Sequence, residues 1–413
     1  MTPRQLTILV MGFASGLPLL LTLSTLTYWL ATVGVDKTTI GLFALVGIPY
    51  NYKFALAPLI DQIRLPIIGR FGRRKSWLFV LQLGLAAAIF AMGQTDPVNN
   101  LTATAIVTLI MAVFAASQDI VVDAYRIEIL GAEEQGAGAG TTQVGYRLGM
   151  LLAGAGAFAM ADFLPWSTVF AVLAAAILLC ALFTLFVREP ARAPRSTRRR
   201  SFREWLDEAV IQPFGDFMTR RGWVVILLFI LFYKFGDAFG GFMASVFYQE
   251  LGFTGTEIGA ISKVYGLIAT LVGGVLGGLI VARFGVFKTL LVGGILQAIT
   301  NLLFSVLALM GNDLLWLGIA ITADNLAGGV ASAAFVAYLS SLCNVAYTAT
   351  QYALLTSLMA FGRTVLSSGS GWLSDHLDWF TFWASTTFMA VPGLLLLMWI
   401  ARLYPQGLTS RPR

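Results

Sequence analysis

Asp119 and Asp123 stand four residues apart in the stretch ASQDIVVDAYRIEIL (116–130), so they share one helical face. The run just before them, LTATAIVTLIMAVFA (101–115), carries no charge at all. Carboxylates in so apolar a setting are costly, and where they occur they face a partner charge or serve proton movement. Lys53, Arg147, Lys234, Asp237, Lys263, Asp324 and Arg363 occupy similar surroundings, which makes five cations and four acids in all. Asp119, Asp123, Asp237 and Asp324 are therefore candidates for taking up and releasing protons. Lys53, Arg147, Lys234, Lys263 and Arg363 are candidates for holding a carboxylate, the arginines in bidentate fashion. Tyr28, Trp29, Tyr50, Tyr52, Gln118, Tyr146, Tyr233, Asn325 and Gln351 add flat rings, hydroxyls and amides in the same runs. About a third of these aromatics are expected to meet a ligand, and the rest to pack the interior.

The elements that carry these residues are apolar helices. The chain has 413 residues, is 58% hydrophobic and only 12% charged, about half the charge of a soluble domain. Twelve apolar runs recur at roughly 6–31, 39–60, 76–94, 101–127, 138–161, 165–187, 223–249, 257–282, 288–310, 313–341, 349–373 and 379–402. They are called spans 1 to 12 below. Each approaches the ~20 residues that a helix needs to cross a bilayer, and none alternates as barrel strands do. The fold class expected is an all-α polytopic membrane protein. The first run is longer than the core of a signal peptide and is expected to be a span, not a cleaved leader. Cys180 and Cys343 are isolated and read as packing residues.

Of the 27 Lys and Arg residues, 21 lie at the N-terminus, in the even-numbered loops or at the C-terminus. The loop after span 2 holds Arg64, Arg70, Arg73, Arg74 and Lys75, and the loop after span 6 holds nine arginines. Asp61, Arg70, Arg73 and Arg74 are candidates for a gate on that side. The odd-numbered loops hold one base, Lys37, and the acids Asp96, Asp162, Glu250, Asp313 and Asp375. Positive residues stay cytoplasmic, so both termini are expected inside. The same asymmetry accounts for the basic charge without a nucleic-acid partner.

The chain also repeats. GVDKTTIG (34–41) returns as GFTGTEIG (252–259), and the pair Gln135 and Arg147 returns as Gln351 and Arg363 at nearly the same offset. The only long polar stretch lies between the halves and contains REPARAPRSTRRRSFREW (188–205). The expected organisation is a six-helix half at 1–187, a cytoplasmic linker at 188–222, a second half at 223–402 and a tail at 403–413. Parallel repeats joined in this way are the arrangement of major facilitator transporters, which bind solute near the midplane between the halves. In that arrangement spans 3, 6, 9 and 12 are peripheral, and these are the spans without a buried charge.

Depth along the helices suggests partners. Asp119 and Arg147 each lie about two turns in from the cytoplasmic ends of spans 4 and 5, and are expected to pair. Asp324 and Arg363 stand near mid-membrane on spans 10 and 11. Lys234 and Asp237, three apart, share one face. Asp123 is placed to latch onto the basic loop after span 2. Gly145, Gly149 and Ala153 on span 5, and Gly273–Gly277 and Gly274–Gly278 on span 8, allow close backbone approach. They are expected to face each other across the halves, with Arg147 pointing away from the glycines.

GFASGLPLLLT (12–22), YKFALAPLID (52–61), GRRKSW (72–77), SQDIVVDAYR (117–126), GYRLGML (145–151), YKFGDAF (233–239) and TATQYALL (348–355) resemble, in order along the chain, the AmpG anhydromuropeptide permeases. That resemblance implies a major facilitator fold and proton-driven import of GlcNAc-1,6-anhydro-MurNAc, with or without its stem peptide, across the bacterial inner membrane for cell-wall recycling. It also implies a proton gradient in place of any cofactor, no metal, and one chain working as a monomer. Related branches carry siderophores and more distant ones acetyl-CoA, so another solute such as a ferric siderophore is the alternative. A polytopic membrane enzyme is a weaker one. The only histidine, His376, falls in an odd-numbered loop, and no metal-ligand spacing or phosphate-cradling loop is present.

Overall fold

The computed structural model describes residues 2–53, 56, 60, 65, 72–130, 134–190, 212–343 and 348–404. Asp61, Arg64, Arg70, most of the linker and most of the tail lie outside the described residues. Ten helices are long and apolar enough to cross a membrane, and they coincide with spans 1, 3 to 10 and 12. Span 2 runs through the α-helix Lys37–Leu42, the 3-10 segment Phe43–Gly47 and the short helix Ile48–Asn51. Span 11 is the helix Thr348–Ser367 followed by Ser370–His376. No strand occurs among the described residues.

Local sequence explains where the helices start and break. Thr2 and Gln5 form a capping box at Pro3–Leu21, and Asn100 caps Leu101–Ile129 by accepting from Ala103 N at 3.1 Å. Pro18 removes one hydrogen bond inside the first helix. The helix ends at Leu21 and resumes as Ser24–Thr32 after Leu23 leaves the helical region. Span 7 is interrupted at Tyr233 and Lys234, between Trp223–Phe232 and Phe235–Glu250. Spans 5 and 8 contain wider π-helical turns at Leu152–Gly156 and Gly259–Tyr265. Such turns gather at functional sites, and Lys234 and Lys263 both lie in these interruptions.

The chain divides into two compact units, Met1–Arg195 with Ala244–Lys263, and Ser196–Met243 with Val264–Arg413. In the first unit the helix Pro3–Leu21 lies directly on Gln135–Leu151. A Cβ on Gly16 would fall 2.0 Å from the Tyr146 carbonyl oxygen, and one on Gly145 2.1 Å from that of Leu9. Gly12 meets Thr142 and Gly149 meets Phe13 in the same way, at 2.4 and 2.2 Å. The glycine stripe of span 5 is thus used against span 1, which corrects the expectation that it faces span 8. Spans 5 and 8 meet through other residues, with Gly255 against the Phe158 carbonyl and Gly259 against Ala155. Beside this lies a core of Met11, Leu78, Leu81, Val121 and Tyr125.

In the second unit Gly273 and Gly277 pack on Leu326 and Val330 of span 10, whereas Gly274 and Gly278 have nothing within 4 Å. Its core is aromatic. Tyr233 stacks on Phe335 at 5.1 Å, and Phe229 meets Tyr338 edge-on at 5.2 Å. These close backbone contacts should dominate stability. Gly149→Val should cost at least about 1–3 kcal/mol by overpacking and lower the thermal midpoint in detergent. Gly274→Ala should leave the midpoint unchanged or slightly raised, because Ala favours helix over Gly.

Candidate functional site

The first unit gathers a polar cluster on spans 1, 2, 4 and 5. Asp119 is 8% exposed, and it accepts from Ser15 Oγ at 2.6 Å and forms an ion pair with Lys53 Nζ. Lys53 follows the irregular part of span 2, and its ammonium also stands 5.2 Å above the Tyr50 ring. Tyr50 and Tyr146 both lie within electrostatic reach of Asp119. Gln118, next in the chain, is fully buried, and neither atom of its amide has a hydrogen-bond partner among the described residues.

Arg147 is not the partner of Asp119, contrary to the sequence expectation. Its Nη1 lies 3.8 Å from Met150 Sδ, its Nε has no partner, and it forms no ion pair among the described residues. The reason is geometric. The glycine stripe turns one face of span 5 onto span 1, and Lys53, carried in by the 3-10 turn of span 2, takes the carboxylate. A guanidinium that has no counter-ion among the described residues can receive an anionic group from a ligand. Ser15 is missing from the sequence reading, because a single serine in an apolar run is an ordinary occurrence there.

Among the described residues Asp123 makes no ion pair with the basic loop. It lies 3.6 Å from Arg126 of its own helix, and its side chain is 65% exposed. Glu128 takes that role instead, bonding Arg73 at 2.9 Å and Arg74 at 2.7 Å. Glu189 joins it, accepting from the backbone N–H of Arg74 and Lys75 at 3.0 Å each. At the opposite ends of the helices, Asp162 accepts from Gly255 N at 2.8 Å and from Thr256 N at 2.7 Å, and Lys37 lies 3.4 Å from Glu250. Trp29 is 2% exposed and packs edge-on against Phe170 at 4.8 Å, so it is a core residue. Lys263 is set over the Phe158 ring at 5.4 Å.

The second unit holds the remaining charges in a looser arrangement. Lys234 donates to Ser332 Oγ at 2.6 Å and does not ion-pair with Asp237, because the helix is interrupted at that point. Lys234 still lies within electrostatic reach of Asp237, Asp324 and Arg363. Asp324 accepts from Thr300 Oγ1 at 3.3 Å; Arg363 is exposed, and the two form no ion pair. Asn325 is committed to packing, accepting from Thr270 Oγ1 at 2.6 Å and donating to the Ile321 carbonyl at 2.9 Å. Gln351 is buried and donates to Asp216 at 2.8 Å, so it fastens span 11 to the helix Gln212–Met218.

Each unit carries a set of charged residues on long apolar helices, an arrangement that suits a polytopic membrane transporter. Residues 7–239 and 231–413 match the Major Facilitator Superfamily. The chain is 41% identical to the anhydromuropeptide permease of Escherichia coli K12, over 96% of this chain and 79% of that protein. It is 38% identical to the putative transporter AmpG 4 of Rickettsia conorii, over 96% of each. Among solved structures, a bacterial homolog of the human lysosomal transporter Spinster superposes with a TM-score of 0.76 at 13% identity, covering 100% of both chains. The nucleoside transporter NupG gives 0.73 at 15% identity, covering 97% of this chain and 99% of that one. The chain belongs to the Major Facilitator Superfamily and, within it, to the family of the anhydromuropeptide permeases.

The identity of the Asp119 partner is open to a direct check. Removing one member of a largely buried ion pair costs up to about 3–5 kcal/mol, so Asp119→Asn should lower the thermal midpoint. Adding Lys53→Gln should recover most of that loss, whereas adding Arg147→Gln should recover none.

Proposed function

We propose that this protein imports GlcNAc-1,6-anhydro-MurNAc and its peptides across the bacterial inner membrane for cell-wall recycling, driven by protons moving with the solute. The observation that carries the solute is the 41% identity to the Escherichia coli anhydromuropeptide permease over 96% of the chain. The geometry is compatible with it. Among the described residues Arg147 has no counter-ion and the buried amide of Gln118 has no partner, which suits a lactyl or peptide carboxylate beside an N-acetyl group.

In this reading Asp119 carries the coupled proton. Protonation cancels its charge, frees Lys53, and leaves Lys53 and Arg147 together to hold an anion. The halves 1–187 and 223–402 then rock about the solute, with the linker 188–222 and tail 403–413 in the cytoplasm and both termini inside. The docking of Asp162 on Gly255 and Thr256, and of Lys37 on Glu250, supports a closure on the outer side that must open in each cycle. The protein works as a monomer, and the proton gradient takes the place of a cofactor.

A strain lacking its own anhydromuropeptide permease should regain uptake of the radiolabelled disaccharide, and β-lactam-inducible β-lactamase, when it expresses this chain. Arg147→Gln should raise the KM for uptake by about tenfold or more, the worth of one charge-assisted hydrogen bond. Restoration of growth on a ferric siderophore, without disaccharide uptake, would contradict the assignment.

A further inference from the structure

Span 9 is charged only at its first turn, by Lys288, yet further along one of its faces is polar and buried. On the helix Val286–Met310, Val292, Ile295, Leu296, Ile299 and Leu302 are exposed, as suits a peripheral helix. The opposite face buries Gln297, Thr300 and Asn301, which are 4%, 6% and 3% exposed. An amide transferred out of water without a partner costs on the order of 1–3 kcal/mol. Neither polar atom of the Gln297 side chain nonetheless has a hydrogen-bond partner among the described residues.

What this face meets is Asp324. Spans 9 and 10 run against each other with Gly293 on Ala331, Gln297 on Gly328 and Thr300 on Asp324. A Cβ on Gly328 would touch only Gln297 Nε2, at 3.5 Å, so the missing side chain leaves the amide room to turn. Gly328 is one helical turn from Asp324. Thr300 Oγ1 has two acceptors in reach, the Gln297 carbonyl at 3.0 Å and Asp324 Oδ1 at 3.3 Å, and only one proton to give. Asp324 itself is half-buried and forms no ion pair among the described residues. In the first half the buried Gln82 on span 3 accepts from Thr184 of span 6 at 2.8 Å.

We infer that Asp324 is a second proton-binding carboxyl, held in both of its protonation states by Thr300 and Gln297. Ionised, it accepts from Thr300 Oγ1 and, after one rotation of the side chain, from Gln297 Nε2. Protonated, it donates its O–H to Gln297 Oε1, and the threonine hydroxyl returns to the Gln297 carbonyl. A glutamine fits this position because it offers a donor and an acceptor from the same group. The charges facing Asp324 are Lys234 and Asp237 from span 7, with Arg363 of span 11 acting on Lys234. Span 8 carries Glu257, Lys263, which is set over the Phe158 ring, and Arg283, and span 9 carries Lys288 at its basic end. Gln297 is a positioning residue for this proton, and the second half then has a proton site of its own beside the Asp119 site of the first.

The inference rests on proton coupling but not on the solute, and its test needs no solute. A pH-difference infrared spectrum of the purified protein in lipid should show a protonated-carboxyl stretch. One component should vanish in Asp324→Asn and persist at a shifted frequency in Gln297→Leu. A spectrum of Asp324→Asn that superposes on that of the wild type would overturn the inference, as would an unshifted component in Gln297→Leu. Should Asp324→Asn fail to fold, Asp324→Glu must move the same component, and a spectrum unaffected by that change is equally contrary.

Discussion

A charge placed among apolar helices costs about 2.5–3.5 kcal/mol even in lenient settings, and this constraint organises the whole molecule. It holds Asp119 inside the first unit against a partner charge, and favours a polar partner for the other charges of the spans. It also separates the polar inner face of a peripheral helix, such as Val286–Met310, from its apolar outer one. The close glycine contacts of Pro3–Leu21 on Gln135–Leu151 serve the same end. They bring backbones within reach, so that Ser15 of the first helix arrives at the carboxylate of Asp119.

The two halves satisfy the constraint in different ways. In the first, Asp119 is neutralised by Lys53 and accepts from Ser15, and Arg147 has no ion pair among the described residues. In the second, the charges are spread out, with Lys234 on a serine, Asp324 on a threonine and Arg363 exposed. A compact ion pair gives a defined state that one proton can undo. A looser set of charges can be rearranged without breaking a strong contact. This asymmetry is superimposed on a sequence repeat.

Much of this is legible in the sequence, and the parts that are not have physical reasons. Spans are legible because hydropathy over twenty residues is a strong signal, and the family because its motifs run in order along the chain. The partner of Asp119 is not, because counting turns along spans 4 and 5 assumes straight α-helices throughout. Lys53 instead follows a 3-10 stretch and a short helix at Ile48–Asn51. The glycine stripe of span 5 shows that backbones approach, but not which neighbour they approach. Gln351 has the look of a solute residue because it repeats Gln135, yet its amide serves Asp216. Ser15 and Gln297 escape notice because an uncharged polar residue in an apolar run acquires meaning only from what faces it.

The central claim is that solute movement is tied to the proton on Asp119. It is tested most directly by the pH of a lightly buffered suspension of proteoliposomes on addition of GlcNAc-1,6-anhydro-MurNAc. The wild type should alkalinise the medium as protons enter with the disaccharide. Asp119→Asn should give no pH change while still exchanging labelled for unlabelled disaccharide. Full alkalinisation by Asp119→Asn would contradict the account.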